Sequence, residues 1–212
     1  MRKLVLVLAV LALLPIAQAN AATITPNVGD TITFYKGIGT TTGGEFIVND
    51  ITQNQYNWFG TFCVERGVPT GFSPLSFTVT NLSGTVLPGG LPLTNETAWL
   101  YDQYRGGTVP ATDAWYDGLQ NAMWYYQGYT YTSSAEFLAL TAAADAAITG
   151  GWTNHDVYVM NLAWAVDIPS LNIRAGDPAQ AVLAPVPEPG SMMLLGTGLI
   201  GLAGAIRRRM KK

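Results

Sequence analysis

The chain has 212 residues, with 11 Lys and Arg against 14 Asp and Glu and a formal charge of −3. Seven cations stand near the termini (Arg2, Lys3, Arg207, Arg208, Arg209, Lys211, Lys212), and no acid accompanies them. The remainder carries four cations against fourteen acids, a net of −10 that repels phosphate and argues against nucleic acid as a partner.

In chain order, Arg2-Lys3, the apolar run from Leu4 to Ile16 and a small-x-small site read as a secretory signal peptide over 1–21. The cleavage site is Ala17-Gln18-Ala19 or Ala19-Asn20-Ala21. No cysteine follows it, so no lipoprotein anchor is indicated. An exported globular domain is then expected over 22–185. At about 165 residues it suffices for one domain with a core.

Residues 23–93 are rich in Thr, Gly, Phe and Val. Alternating stretches such as Thr31–Tyr35, Gly44–Val48 and Leu75–Thr80, punctuated by Gly, Pro and Asn, predict strands joined by turns. Thr61-Phe62-Cys63-Val64-Glu65 is also strand-like, and a period of two sets Phe62 and Val64 opposite Cys63.

The middle changes period. Asn95 is a candidate cap for a short helix through Trp99, Leu100 and Tyr104. Thr112 caps a second whose stripe is Trp115, Leu119, Ala122, Met123 and Tyr126. Ser133-x-x-Glu136 reads as a capping box for a third, with Phe137, Leu140, Thr141, Ala144 and Ile148 on one face. Strand patterns return at Asp156–Met160 and Ala179–Ala184. The order predicts an α+β fold, an antiparallel β-rich sandwich or barrel-like domain with two to three helices inserted in the middle.

The chain ends in Val186-Pro187-Glu188-Pro189, then 16 uncharged residues from Ser191 to Ile206, then five cations. Residues 191–206 are expected to form one C-terminal transmembrane helix, slightly under the usual ~17–25 residues. Gly196, Gly198, Gly201 and Gly204 favour close helix approach, and Arg207, Arg208 and Arg209 act as a cytoplasmic stop. A plain unprocessed anchor has no need of Pro-Glu-Pro. Residues 186–212 resemble the PEP-CTERM sorting signal of Gram-negative bacteria. That resemblance implies export across the inner membrane and transient anchoring in the cytoplasmic membrane. It also implies processing by an exosortase, a membrane protease-transpeptidase cutting near the Pro-Glu-Pro. The product is then released or re-anchored, at the cell surface or in the extracellular matrix.

Cys63 is the only cysteine, so an internal disulfide is excluded. A buried small hydrophobe is the simple reading. Phe62-Cys63-Val64, with Leu119-Gln120-x-x-Met123-Trp124 in the second helix, resembles the paired signature of bacterial thioester domains. The resemblance implies that the Cys63 thiol attacks the Gln120 amide, expels ammonia and leaves an electrophile that captures a surface amine. Phe62 and Trp124 are then the shielding residues, since thiol and amide must be held in contact with water excluded.

Other constellations carry less. His155, the only histidine, follows a turn, and no zinc cluster or calcium loop is present, so neither metal nor cofactor is expected. Asp102, Asp113 and Asp117 offer acid pairs of the kind glycosidases use, as any acidic domain does. Lys36 is the only lysine of the exported part, and an Asn–Lys crosslink rests on that rarity alone. The six Trp and ten Tyr would suit sugar stacking, but their helical spacing favours core. No catalytic set is complete, so the chain is read as an interaction protein and not an enzyme. It binds covalently through Cys63 and Gln120, or serves as a non-covalent structural or polysaccharide-matrix protein.

Overall fold

The computed structural model describes residues 26–40, 44–53 and 55–186. The expected signal peptide at 1–21 and the expected span at 191–206 lie outside the described residues. So do Pro187, Glu188, Pro189, Arg207, Arg208 and Arg209. Among the described residues no helix is long and apolar enough to cross a membrane.

The chain forms β1 (Thr31–Lys36), β2 (Phe46–Asp50), β3 (Gln55–Thr61), β4 (Ser76–Ser83), and a two-stranded ribbon of β5 (Thr85–Val86) and β6 (Leu91–Pro92). Three helices follow: α1 (Asn95–Arg105), α2 (Asp113–Tyr126) and α3 (Ala135–Thr149). The chain then returns to β7 (Val157–Trp164) and β8 (Pro178–Pro185). The main sheet has the order β3-β2-β1-β4-β7-β8, with every neighbouring pair antiparallel.

Its two edges meet. Just past β3, the Phe62 carbonyl accepts from Leu183 N–H at 3.1 Å, Cys63 bridges Val182, and Val64 N–H donates to the Ala181 carbonyl at 3.0 Å. Six is an even number, so an antiparallel sheet closes on itself without a parallel seam. Closure removes the unpaired edge groups that an open sheet would present. The expected sandwich-or-barrel alternative thus resolves to a closed six-stranded antiparallel sheet, with the three expected helices between its strands.

The side-chain period of two divides the strands between two cores. Ile32, Phe34, Val48, Phe77 and Trp164 fill the interior of the closed sheet. Phe62, Val64, Val157, Val159, Ala181 and Leu183 face the other way and meet Leu100, Tyr101, Leu119, Met123, Phe137 and Leu140 of the helices. Burying each large apolar side chain is worth about 1.5–3 kcal/mol, so this second core is what holds the helices on the sheet.

The caps refine the expectations by one residue. Thr112 Oγ1 accepts from Trp115 N–H as expected. The first helix is capped by Thr94, through Thr97 N–H at 3.2 Å, and the third by Ser134, through Phe137 N–H at 3.1 Å. Asn95 and Ser133 were the expected caps. Asn95 is instead the first helical residue, and its Oδ1 accepts from Asn154 N–H. Of two adjacent residues able to cap, the backbone selects the one whose oxygen reaches the N3 amide. Gly118 sits where α2 crosses α3: a Cβ there would stand 2.8 Å from Glu136 Cβ and 3.1 Å from Phe137 N.

Candidate functional site

Cys63 and Gln120, 57 residues apart in sequence, meet where α2 crosses the seam of the sheet. Gln120 Oε1 accepts the Cys63 N–H at 2.9 Å, and Gln120 Nε2 donates to the Cys63 carbonyl at 2.7 Å. The side-chain amide thus pairs with both backbone groups of one residue, as a neighbouring strand would. Gln120 is fully buried and Cys63 is 3 % exposed. Only a residue with both a donor and an acceptor satisfies this gap, because Cys63 pairs with β8 through a single bridge.

These two bonds hold the Gln120 carbonyl carbon against the Cys63 backbone. The sulfur is two bonds from the Cα that they straddle, so the Cys63 χ1 torsion governs its approach to that carbon. The Cys63 N–H also points at the oxygen where negative charge would develop if the carbon were attacked. That is the requirement for an oxyanion donor.

A cavity of about 320 Å³ opens beside the pair. Its walls include Trp124 of α2, Gln180 of β8, Phe72, and the cations Lys36 and Arg66. Trp124 follows Gln120 by one helical turn and so shares its face. The indole Nε1 donates to the Glu65 carbonyl at 2.8 Å, and the Arg66 guanidinium lies over the ring, 4.9 Å from its centre. Arg66 also donates to the Thr130 carbonyl. Phe62 turns away from the cavity into the helix-facing core, where it meets Tyr104 and Tyr116 edge-on at 5.0 and 5.8 Å. Of the two expected shielding residues, Trp124 borders the cavity and Phe62 packs behind it.

Burial, and then the neighbouring Glu65 carboxyl, pushes the Cys63 thiol well above its ordinary range. Burial raises the Glu65 carboxyl as well, against a hydrogen bond from Ala181 N–H that pulls the other way. The thiol is therefore neutral at physiological pH, and any attack by sulfur must move its proton in the same event.

The remaining candidates have local duties. His155 is exposed and pairs with Thr153 Oγ1 at 2.8 Å. Asp113 and Asp117 are bound to backbone amides of the turn after β1, which argues against a free acid pair. Among the described residues no group of three or more His, Cys, Asp or Glu is placed to hold a metal. Val186, the one residue of the expected sorting motif within the described region, donates its N–H to the Asp156 carbonyl at 2.9 Å. Glu65, which its sequence position gave no reason to single out, meets the site through its carbonyl, which accepts from Trp124 Nε1 and Gln180 Nε2.

Comparison with known families settles the tail. Residues 185–209 carry a PEP-CTERM protein-sorting motif. The motif implies an exported protein of Gram-negative type, targeted to an exosortase as its processing partner. It begins on the last residue of β8. No curated protein and no solved structure matches the chain. None of these comparisons supports the expected resemblance to thioester domains.

Proposed function

We propose that this exported, exosortase-targeted protein acts outside the inner membrane as a covalent interaction protein. Its working group is an internal thioester between Cys63 Sγ and Gln120 Cδ. The observation that carries this reading is the double hydrogen bond of the buried Gln120 amide to the Cys63 backbone, both residues lining a cavity of about 320 Å³.

In the closing step the C–S bond forms, the C–N bond of the amide breaks, and ammonia leaves with the thiol proton. The Cys63 N–H that already meets Oε1 stabilises the oxyanion in between. Proximity supplies most of what a poor nucleophile and a poor leaving group lack. An incoming surface amine then breaks the C–S bond, takes the acyl group as an amide and frees the thiol. Each molecule reacts once, so the protein is a binder and not an enzyme.

A second reading has its own support. Both polar atoms of Gln120 are satisfied by Cys63, so the pair also suits a purely structural clamp between α2 and the sheet seam in a non-covalent matrix protein. Intact mass of the exported protein separates the two. A thioester lowers the mass by one ammonia, blocks alkylation of Cys63, opens with methylamine and disappears in Cys63→Ala. An unmodified mass with an alkylatable thiol in the unfolded chain overturns it and leaves the clamp.

A further inference from the structure

We propose that the cavity beside Cys63 and Gln120 binds a small ring-bearing organic carboxylate, a role that its walls support whether or not the thioester forms. The exported part carries four cations, Lys36, Arg66, Arg105 and Arg174, against fourteen acids. Two of the four line this cavity. In a body with a net charge of −10, a cation has many acids to pair with. Yet among the described residues neither Lys36 nor Arg66 forms an ion pair. Cations gathered at a concave site without counter-charges raise the local concentration of an anion there.

The fold sets both in place. The period of two puts Lys36 on the same face of β1 as Ile32 and Phe34, which fill the interior of the closed sheet. Its partner on β2 is Phe46, and Gln180 of β8 shares a face with Val182 of the same interior. Lys36, Phe46 and Gln180 all border the cavity, which therefore lies at one mouth of the closed sheet. Arg66 is fixed by donations from Nη1 to the Thr130 carbonyl and Oγ1, and by the Trp124 ring against its guanidinium. Among the described residues its Nε and Nη2 have no acceptor, and they form one edge of the fork that suits a carboxylate.

Charge and shape select the ligand. Glu45, the acid of the wall, has its oxygens against the Tyr104 hydroxyl and the Ile38 N–H. Two cations and one acid leave a wall charge of +1, which matches a single carboxylate. A phosphate dianion is usually cradled by backbone amides as well. Here the Gly39 and Thr40 N–H groups of the rim already donate to Asp113 and Asp117. Phe72 is 42 % exposed and stacks on Phe46, with centroids 5.4 Å apart and planes 18° from parallel. That pair gives the cavity a flat apolar wall for one face of a ring. A volume of about 320 Å³ stands at the low end of small-molecule sites and suits one ring.

The test is calorimetric titration of the full-length protein with D-glucuronate and benzoate, beside their neutral counterparts D-glucose and benzyl alcohol, and inorganic phosphate. At least one of the two carboxylates is expected to bind, with its neutral counterpart about tenfold weaker or worse. Its affinity should fall as ionic strength rises. Which of the two binds tells a sugar acid from an aromatic one. Lys36→Met and Arg66→Gln are each expected to weaken that probe by about tenfold or more, while Lys36→Arg keeps most of the affinity. The thermal midpoint of Lys36→Met should be unchanged, because the side chain is exposed at the end of β1. Binding of neither carboxylate, equal binding of the neutral counterpart, tighter binding of phosphate, or a Lys36→Met protein that binds like wild type each overturns the assignment. Should R66Q fail to fold, K36M and the neutral probes decide it alone. An intact mass without the thioester is a separate result, since it removes that bond and leaves every charge of this wall in place.

Discussion

Asp113 Oδ1 accepts the Gly39 N–H at 2.8 Å, joining the first residue of α2 to the turn that follows β1. One turn further along the helix, Asp117 Oδ1 accepts the Thr40 N–H at the same distance. Gly39 and Thr40 border the cavity beside Gln120, so two carboxylates fasten its rim to the helix that carries Gln120. Acids at a helix N-terminus are also favoured by the macrodipole. Asp113→Ala is expected to cost about 1–2 kcal/mol in denaturant unfolding and to speed hydrogen exchange at Gly39. Unchanged exchange there would show that the turn holds without the clamp.

Tyr101 is fully buried, and its hydroxyl donates to the Gly60 carbonyl at 2.9 Å. Burial raises its phenol far above the ordinary value, although the Arg105 charge pulls the other way. A raised folded-state value means that the stabilisation is complete below the unfolded value near 10 and drains away above it. Stability should fall by about 1.4 kcal/mol per pH unit above pH 10 from this group alone. Tyr101→Phe is expected to cost about 1 kcal/mol at neutral pH through the lost hydrogen bond, and to close that gap as pH rises beyond 10. Parallel alkaline profiles for the two proteins would refute this.

Asp50 presents the opposite opportunity. Its Oδ2 is buried without a hydrogen-bond partner, and Asp30 lies beside it. Burial first, and the Asp30 carboxyl second, raise Asp50. Asp30 itself is lowered, because hydrogen bonds from Asn27 and Gln53 outweigh its burial. For Asp50, stability is fully present below the unfolded carboxylate value and is lost as pH climbs through the raised one. Asp50→Asn retains the oxygen that accepts from Gln53 N–H and removes the charge. It should stabilise the protein at neutral pH by about 1 kcal/mol, and lose that advantage in acid. A destabilised variant at neutral pH would contradict this.

Gly118→Ala pits two effects against each other. Helix propensity favours alanine by about 1 kcal/mol, whereas the new methyl meets Glu136 and the Phe137 backbone inside contact distance. Overpacking at a helix crossing costs about 1–3 kcal/mol, so net destabilisation is expected. Because Gln120 is two residues away, Cys63 should also become more alkylatable in the variant. A stabilised variant would mean that α3 yields easily.

Much of this fold was legible locally. Alternation located β1, β2, β4, β7 and β8, and the apolar stripes located all three helices, since both follow from neighbours in sequence. The Gln55–Thr61 strand escaped because its polar residues and Gly60 break the apolar pattern. The sheet seam was invisible for another reason: Phe62–Val64 pairs with residues 181–183, and no local period reports a contact of that span. Asp113 and Asp117 look like free acids in sequence because their partners are glycine and threonine amides without a side-chain signature. Cys63 and Gln120 became a pair only through a family resemblance, and the bonds from Trp124 and Gln180 to the Glu65 carbonyl have no signature in sequence at all.

The seam has a mechanical side. β8 leads directly into the sorting motif, so a pull arriving through Val186 enters the folded domain along this strand. β8 is gripped on both edges, by β7 and by Phe62–Val64, and resists being peeled away as an edge strand would be. The segment that shares this load contains Cys63. A load entering through Val186 therefore reaches the strand pair that carries Cys63 before the rest of the domain.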